Sequence, residues 1–297
     1  MTTIGPAQKA HHNALGFLLG IVGVAIFAAT LPATHIALED YSPWFITHAR
    51  ALIASLAALV TLLSMRRTIP RGHLTALLSA GLLLVFGFPG FMAIGMQTVG
   101  ASHGGVVLGI LPLATAVFAA LIGGERPSPL FWLCGIAGTA LVVLFAVRDS
   151  GMRLVMGDVW LFLAGLSASL GYVISGRLSR MMPGWAVICW ALVLTMPLSA
   201  LGTLLTFQPA FVQASAKAVT ALAYLGLGSM LVGFFAWNAG LAMGGIARVG
   251  QVQLLQTFFT IAVSALLLGE PVTGEMLAFA VAVVAVVALG RKARISA

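Results

Sequence analysis

The sequence predicts an all-α membrane protein of ten transmembrane helices, arranged as two inverted five-helix repeats. Three observations carry this. Of the 297 residues, 61% are hydrophobic and 7% charged, where a soluble domain carries roughly 25% charged residues. The apolar runs are about 17 to 25 residues long, the length a helix needs to cross roughly 30 Å of hydrocarbon. The runs also fall into two similar sets. ALGFLLGIVGVAIFAAT from Ala14 opens one and GDVWLFLAGLSASLGYV from Gly157 opens the other; Trp44 answers Trp185, and Gly124-Glu125 answers Gly269-Glu270. A unit of five spans used twice in succession enters the membrane from opposite sides. The halves, 1–150 and 151–297, are therefore expected to be inverted about a site near the midplane.

Taken in order, spans are expected at about 14–38, 44–64, 74–97, 101–122, 130–148, 155–177, 186–206, 218–241, 246–267 and 275–290. The joints are read from Pro, Gly and charge: EDYSP at Glu39, RRTIPRGH at Arg66, ERPSP at Glu125, RDSGMR at Arg148, GRLSRMMPG at Gly176, FQPAFVQASAK at Phe207 and GEPVTG at Gly269. The first run is too long for a secretory leader and carries Pro32, Thr34 and His35 where a small-residue cleavage site would be needed, so it is read as a retained span. Cys134 and Cys189 lie within spans without metal-ligand spacing and are read as buried thiols.

Orientation follows from the basic residues. With the N-terminus inside, Lys9, Arg66, Arg67, Arg71, Arg126, Arg177, Arg180, Arg248, Arg291, Lys292 and Arg294 are cytoplasmic, against Arg148, Arg153 and Lys217 outside. That bias places both termini in the cytoplasm. It also accounts for the net charge of +8 without a nucleic-acid partner, since the charges are scattered over loops separated by apolar helices.

LGILPLATAVFAALIGGERPSPLFWLCGIAGTALVVL from Leu108, SPWFITHARALIASLAALVTLL from Ser42 and their counterparts in the second half resemble the EamA-type branch of the drug/metabolite transporter superfamily. The resemblance covers nearly the whole chain, including the pattern of Pro112 followed by Gly124 and Glu125. It is strongest to the bacterial amino-acid exporters. It implies a bacterial inner-membrane carrier of small molecules, without cofactor, whose central cavity is lined by helices from both halves. It also implies that Arg50 is a structural residue of the second span. The second half departs from the pattern, with Gln256-Thr257 where a match to Pro112 would stand.

Polar side chains deep in a span must face a partner helix or a wet cavity, because lipid penalises them. Gln253 and Gln256 share a face of the ninth span, and Trp237 and Asn238 end the eighth. Phe27, Thr30 and Thr34 follow helical spacing in the first span, with His35 beside them; Met96 lies in the third, and Ser169, Tyr172 and Ser175 in the sixth. A substrate site is expected between the first, third, sixth, eighth and ninth helices. There Gln253, Gln256 and Asn238 would hold the polar end of an amino acid, and Trp237, Tyr172, Phe27 and Met96 its side chain. Each also has a simpler role open to it: Ser and Thr bond their own helix backbone, and Met fills space.

Of the seven acids, none falls at mid-span. An uncharged polar cavity is therefore expected, with facilitated diffusion or weak proton coupling through His35 or His103. His103 would sit at the outer mouth and Arg248 at the inner one, either steering substrate or bonding loop backbone. The expected function is amino-acid export, aromatic and apolar ones included, by alternating access. The alternatives are export of a nucleobase or drug-like metabolite, or an intramembrane enzyme. The last would need a metal-binding carboxylate cluster or an activated nucleophile, and no such motif is present in the sequence.

Overall fold

The computed structural model describes residues 6–123, 126–127, 129–149, 155–244, 249–290 and 295–296. Gly124, Glu125 and Arg248, singled out above, lie outside the described residues. Among the described residues ten long helices follow in chain order: α1 (Ala14–Ala37), α2 (Pro43–Ser64), α3 (Arg71–Gly95), α4 (Ala101–Ile122), α5 (Pro129–Asp149), α6 (Met156–Leu178), α7 (Gly184–Thr206), α8 (Ala216–Gly244), α9 (Leu254–Leu268) and α10 (Gly274–Gly290). Seven of these, α1–α4 and α6–α8, are long and apolar enough to cross a membrane. The chain is thus an all-helical, multi-pass membrane protein. Among the described residues the sole β pairing is two residues long, Arg126–Pro127 against Ile295–Ser296.

Side-chain burial is inverted relative to a water-soluble protein. Leu63, Leu204 and Leu266 are 68%, 75% and 83% exposed, large apolar groups that only lipid can cover without cost. Inside, helix contacts pair the two halves: α1 packs on α8, α3 on α6, α2 on α7, α4 on α9 and α5 on α10. Exchanging the halves maps this set of contacts onto itself. Glycines permit the closest of these approaches. A Cβ on Gly16 would lie 2.6 Å from the backbone nitrogen of Gly244, and one on Gly157 would lie 2.9 Å from the carbonyl oxygen of Gly95. Any side chain there would force α1 from α8, or α6 from α3.

Helix ends are closed by specific contacts. Ser42 accepts from the Phe45 amide at the start of α2. At its other end Arg66 takes a left-handed φ of 50°, with the Arg67 and Arg66 amides donating to Leu62 and Leu63, and Arg67 then lies over the Trp185 ring at 5.4 Å. Gly269, at φ 68°, ends α9. Glu270 then reaches across to α4, where its carboxylate accepts from the Ala101 and Ser102 amides at 2.8 and 2.7 Å. A carboxylate at a helix N-terminus satisfies orphan donors and meets the positive end of the helix dipole. Asp40, after α1, accepts from the amide and hydroxyl of Ser215 at 2.8 and 2.6 Å; these bonds hold its carboxyl below the usual carboxylate range. Arg148 and Glu275 pair at the ends of α5 and α10.

Two segments depart from α-helical winding. Leu82–Gly87 in α3 and Tyr224–Gly233 in α8 are π-helical, and each stops at a Gly-Phe step, Gly87-Phe88 and Gly233-Phe234. They occupy the same place in the two halves. Such widened turns release backbone groups to other partners: in α3 the Leu83 carbonyl accepts from the Ser167 hydroxyl of α6 at 2.9 Å.

Candidate functional site

The site is organised by a break in α1. Pro32 has no N–H, so the carbonyl four residues earlier, Ala28, loses its helical donor. Helix α1 is interrupted at Ala29, and the Thr260 hydroxyl of α9 donates to the Ala28 carbonyl at 3.1 Å. Beside the break the Thr30 hydroxyl lies 2.8 Å from that of Ser229, which the π-helical stretch of α8 carries inward. Thr34 donates to the Thr30 carbonyl, the backbone bond that deep threonines commonly make.

Two adjoining cavities lie here, each about 10 Å³, room for roughly one water. One is walled by Phe27 and Thr30 of α1, Arg50 of α2, Leu84 and Phe88 of α3, Tyr172 of α6, Ser229, Met230 and Phe234 of α8, and Gln256 of α9. The other is walled by Leu31, Gly105, Leu108, Gln253, Gln256, Thr257 and Thr260. Gln256 belongs to both walls. Its Oε1, both amide atoms of Gln253, and Nε and Nη1 of Arg50 are buried without a hydrogen-bond partner among the described residues. Unpaired polar groups in such surroundings cost about 1–3 kcal/mol each, so this is where a polar ligand gains most by binding. The aromatic wall is continuous: Phe27 and Phe234 have ring centroids 5.0 Å apart, and Tyr172 lies 6.0 Å from Phe234.

Of the residues singled out from sequence, Phe27, Thr30, Tyr172, Gln253 and Gln256 lie in the cavity walls. Trp237 stands one layer behind, against Phe27 and Tyr172, with its indole N–H unpartnered. The others are elsewhere. Asn238 is a helix clamp: its amide donates to the Gly184 carbonyl at 3.1 Å and its oxygen accepts from Ser175 at 3.0 Å. Asn238 is thus tied to α6 and α7 and lines neither cavity. Met96 is buried in the apolar core, Thr34 is spent on backbone, and His35, near the end of α1, lines neither cavity. His103 bonds Asp158 of α6 at 2.7 Å, both side chains buried. Asp158 is in the first turn of its helix, as the sequence indicates, yet it is out of water.

The expectation of an uncharged cavity is corrected. Arg50 is in the wall, 2% exposed, with a single hydrogen bond among the described residues, from Nη2 to the Ser229 hydroxyl at 3.3 Å. The sequence did signal it, since a charge inside a span is functional until a partner is found. Ser229, Met230, Phe234, Leu84 and Phe88 were missed. They reach the cavity through the π-helical turns of α8 and α3, or directly after them, and no residue pattern marks those turns.

Residues 14–147 and 155–290 each match the EamA-like transporter family. The chain is 41% identical over 278 residues to the uncharacterized transporter YdeK of Bacillus subtilis (strain 168), covering 93% of this chain and 97% of that one. It is 26% identical over 282 residues to a protein of Salmonella typhimurium (strain LT2) named as a probable amino-acid metabolite efflux pump, covering 91% and 92%. One crystal structure shares its fold with a TM-score of 0.67 at 19% identity, over 93% of this chain and 96% of the other. Two matched segments spanning almost the whole length leave one conclusion: the chain belongs to the EamA-like transporter family.

Proposed function

We propose that this protein is a secondary carrier of the bacterial inner membrane that exports small metabolites, amino acids with apolar or aromatic side chains foremost, by alternating access. The observation that carries the proposal is the pair of adjoining cavities that share Gln256: its unpartnered Oε1 stands in one wall with the rings of Phe27, Tyr172 and Phe234, and the unpartnered amide of Gln253 lines the other. A polar head and an apolar side chain are both accommodated by such a wall. The Salmonella relative's name agrees with this class of cargo. At about 10 Å³ the cavities admit a water and no amino acid, so transport requires the helices around them to part. The exchange-symmetric packing of α1 on α8 and α3 on α6, and the matching π-helical turns in α3 and α8, supply equivalent joints in each half for that motion.

The ten helices then cross as two inverted repeats of five, with both termini cytoplasmic. Contacts at the helix ends support the alternation of the spans, and the basic residues its direction. Asp40 with Ser215, Glu270 with Ala101, His103 with Asp158 and Arg148 with Glu275 each join two connections expected outside. Arg67 with Trp185, and Arg126 with Ser296, each join two regions expected inside. None of these contacts mixes the sides. The test is uptake by proteoliposomes of labelled L-phenylalanine, L-leucine, L-threonine and uracil. Saturable uptake of an amino acid, competed by unlabelled amino acids, is expected; uptake of uracil alone would move the cargo to nucleobases, and linear, unsaturable leakage of all four would remove the carrier reading.

A further inference from the structure

Arg50 begins the third turn of α2 and faces the first cavity. A guanidinium has five N–H donors, and here one of them is used, on Ser229. Nε and Nη1 are buried and bare. Four described carboxylates are committed elsewhere, Asp40 to Ser215, Asp158 to His103, Glu270 to the start of α4 and Glu275 to Arg148, and Glu39 is exposed beyond the end of α1. Among the described residues no acid pairs with Arg50. A buried cation without a counter-ion is costly in a protein interior and in a bilayer, and a role confined to packing would be served by an apolar side chain of the same volume.

We propose that Arg50 is the substrate's carboxylate anchor, so that the solutes this carrier binds are small carboxylates. The proposal rests on the carrier reading above and narrows its substrate class. A carboxylate in the cavity would meet the planar fork of the guanidinium, which accepts two oxygens side by side, with the Ser229 hydroxyl beside it. The unpartnered Oε1 of Gln256, in the same wall, is an acceptor suited to an ammonium group. An α-amino acid presents both ends at once, with its side chain against Phe27, Tyr172 and Phe234. The two ends of the substrate are thus held by different chemistry, a cation for the carboxylate and an amide oxygen for the ammonium, in place of amides for both.

The test is thermal unfolding of the full chain in lipid nanodiscs at constant ionic strength with three probes. L-phenylalanine carries both groups, 3-phenylpropionate the carboxylate alone, and phenethylamine the ammonium alone. The first two are expected to raise Tm, with phenethylamine far weaker. Arg50→Gln should shift the half-saturating concentration of both carboxylates about tenfold to a hundredfold, as the loss of a charge-assisted bond implies, while unfolding without ligand at no lower temperature than the native chain. If Arg50→Gln does not fold, Arg50→Lys keeps the charge and loses the fork, and about a tenfold weaker response is expected. Unchanged carboxylate affinity in a folded Arg50 variant overturns the proposal. So does the absence of any carboxylate response, or an equal response to sodium chloride, which would mean an inorganic anion only. The two readings fail separately. Saturable flux of phenethylamine or uracil without a carboxylate response leaves the carrier and removes the anchor; an Arg50-dependent response without saturable flux of any probe does the reverse.

Discussion

The Thr260 hydroxyl of α9 donates to the Ala28 carbonyl of α1, the acceptor that Pro32 leaves without its helical N–H. The bond ties the break in α1 to the helix that carries Gln256 and is capped by Gln253, so the two elements on either side of the second cavity are held in register. Thr260→Val keeps the shape and removes the donor, leaving a buried carbonyl unpaired. A loss of about 1–3 kcal/mol is expected, read as a lower unfolding temperature in nanodiscs. Pro32→Ala restores an N–H to the helix, and in that background Thr260→Val should cost much less.

Breaking the buried pair between His103 and Asp158 should be expensive. Either His103→Leu or Asp158→Leu alone strands a polar partner out of water, and about 3–5 kcal/mol is expected from removal of one member of a buried pair. The double variant should recover part of that loss. Simple additivity of the two single losses in thermal unfolding would mean that the pair is not coupled.

Asp40 gives a pH dependence with a definite sign. Its folded-state carboxyl titrates below the ordinary carboxylate range because Ser215 donates two hydrogen bonds to the ionised form. A depressed value favours the folded state above the unfolded carboxylate range, and the contribution disappears as pH falls through the folded value. Asp40→Asn should therefore lower Tm at neutral pH and match the native chain at acid pH. A difference that grows as pH falls would have the wrong sign.

Sidedness is checked by single-cysteine labelling in a chain carrying Cys134→Ala and Cys189→Ala. Positions near Arg67 should be protected from a membrane-impermeant reagent in intact cells, and positions near Lys217 should react. The reverse pattern would invert the topology.

Much of the fold is legible in the sequence because lipid imposes one rule on every residue: backbone groups must be paired within a helix. Apolar run length and Pro-Gly-charge joints therefore locate helices to within a few residues, as at α2, expected over 44–64 and found at Pro43–Ser64. The site is legible only in part. Gln253, Gln256 and Asn238 are equivalent as letters, three amides deep in adjoining helices, and what separates them is whether a neighbouring backbone satisfies them. The Gly184 carbonyl does so for Asn238, with the Ser175 hydroxyl added, and that depends on α7 and α6 approaching α8. The π-helical turns are likewise silent, since Leu82–Gly87 and Tyr224–Gly233 are apolar and Gly-containing like the α-helical residues around them. They turn Ser229 toward Thr30 and Arg50, a juxtaposition that α-helical spacing does not reveal.

The most direct test of the central claim, that the solute is carried through the cavity shared by Gln256, Tyr172 and Arg50, is counterflow of labelled L-phenylalanine in proteoliposomes by the native chain and by Gln256→Leu. Leucine preserves volume and removes the amide. Saturable counterflow is expected from the native chain, with an apparent affinity weakened about fivefold to a hundredfold in a folded Gln256→Leu, as the loss of one ligand hydrogen bond implies. Counterflow of equal affinity and rate in the two proteins would contradict the claim and put the pathway elsewhere in the helix bundle.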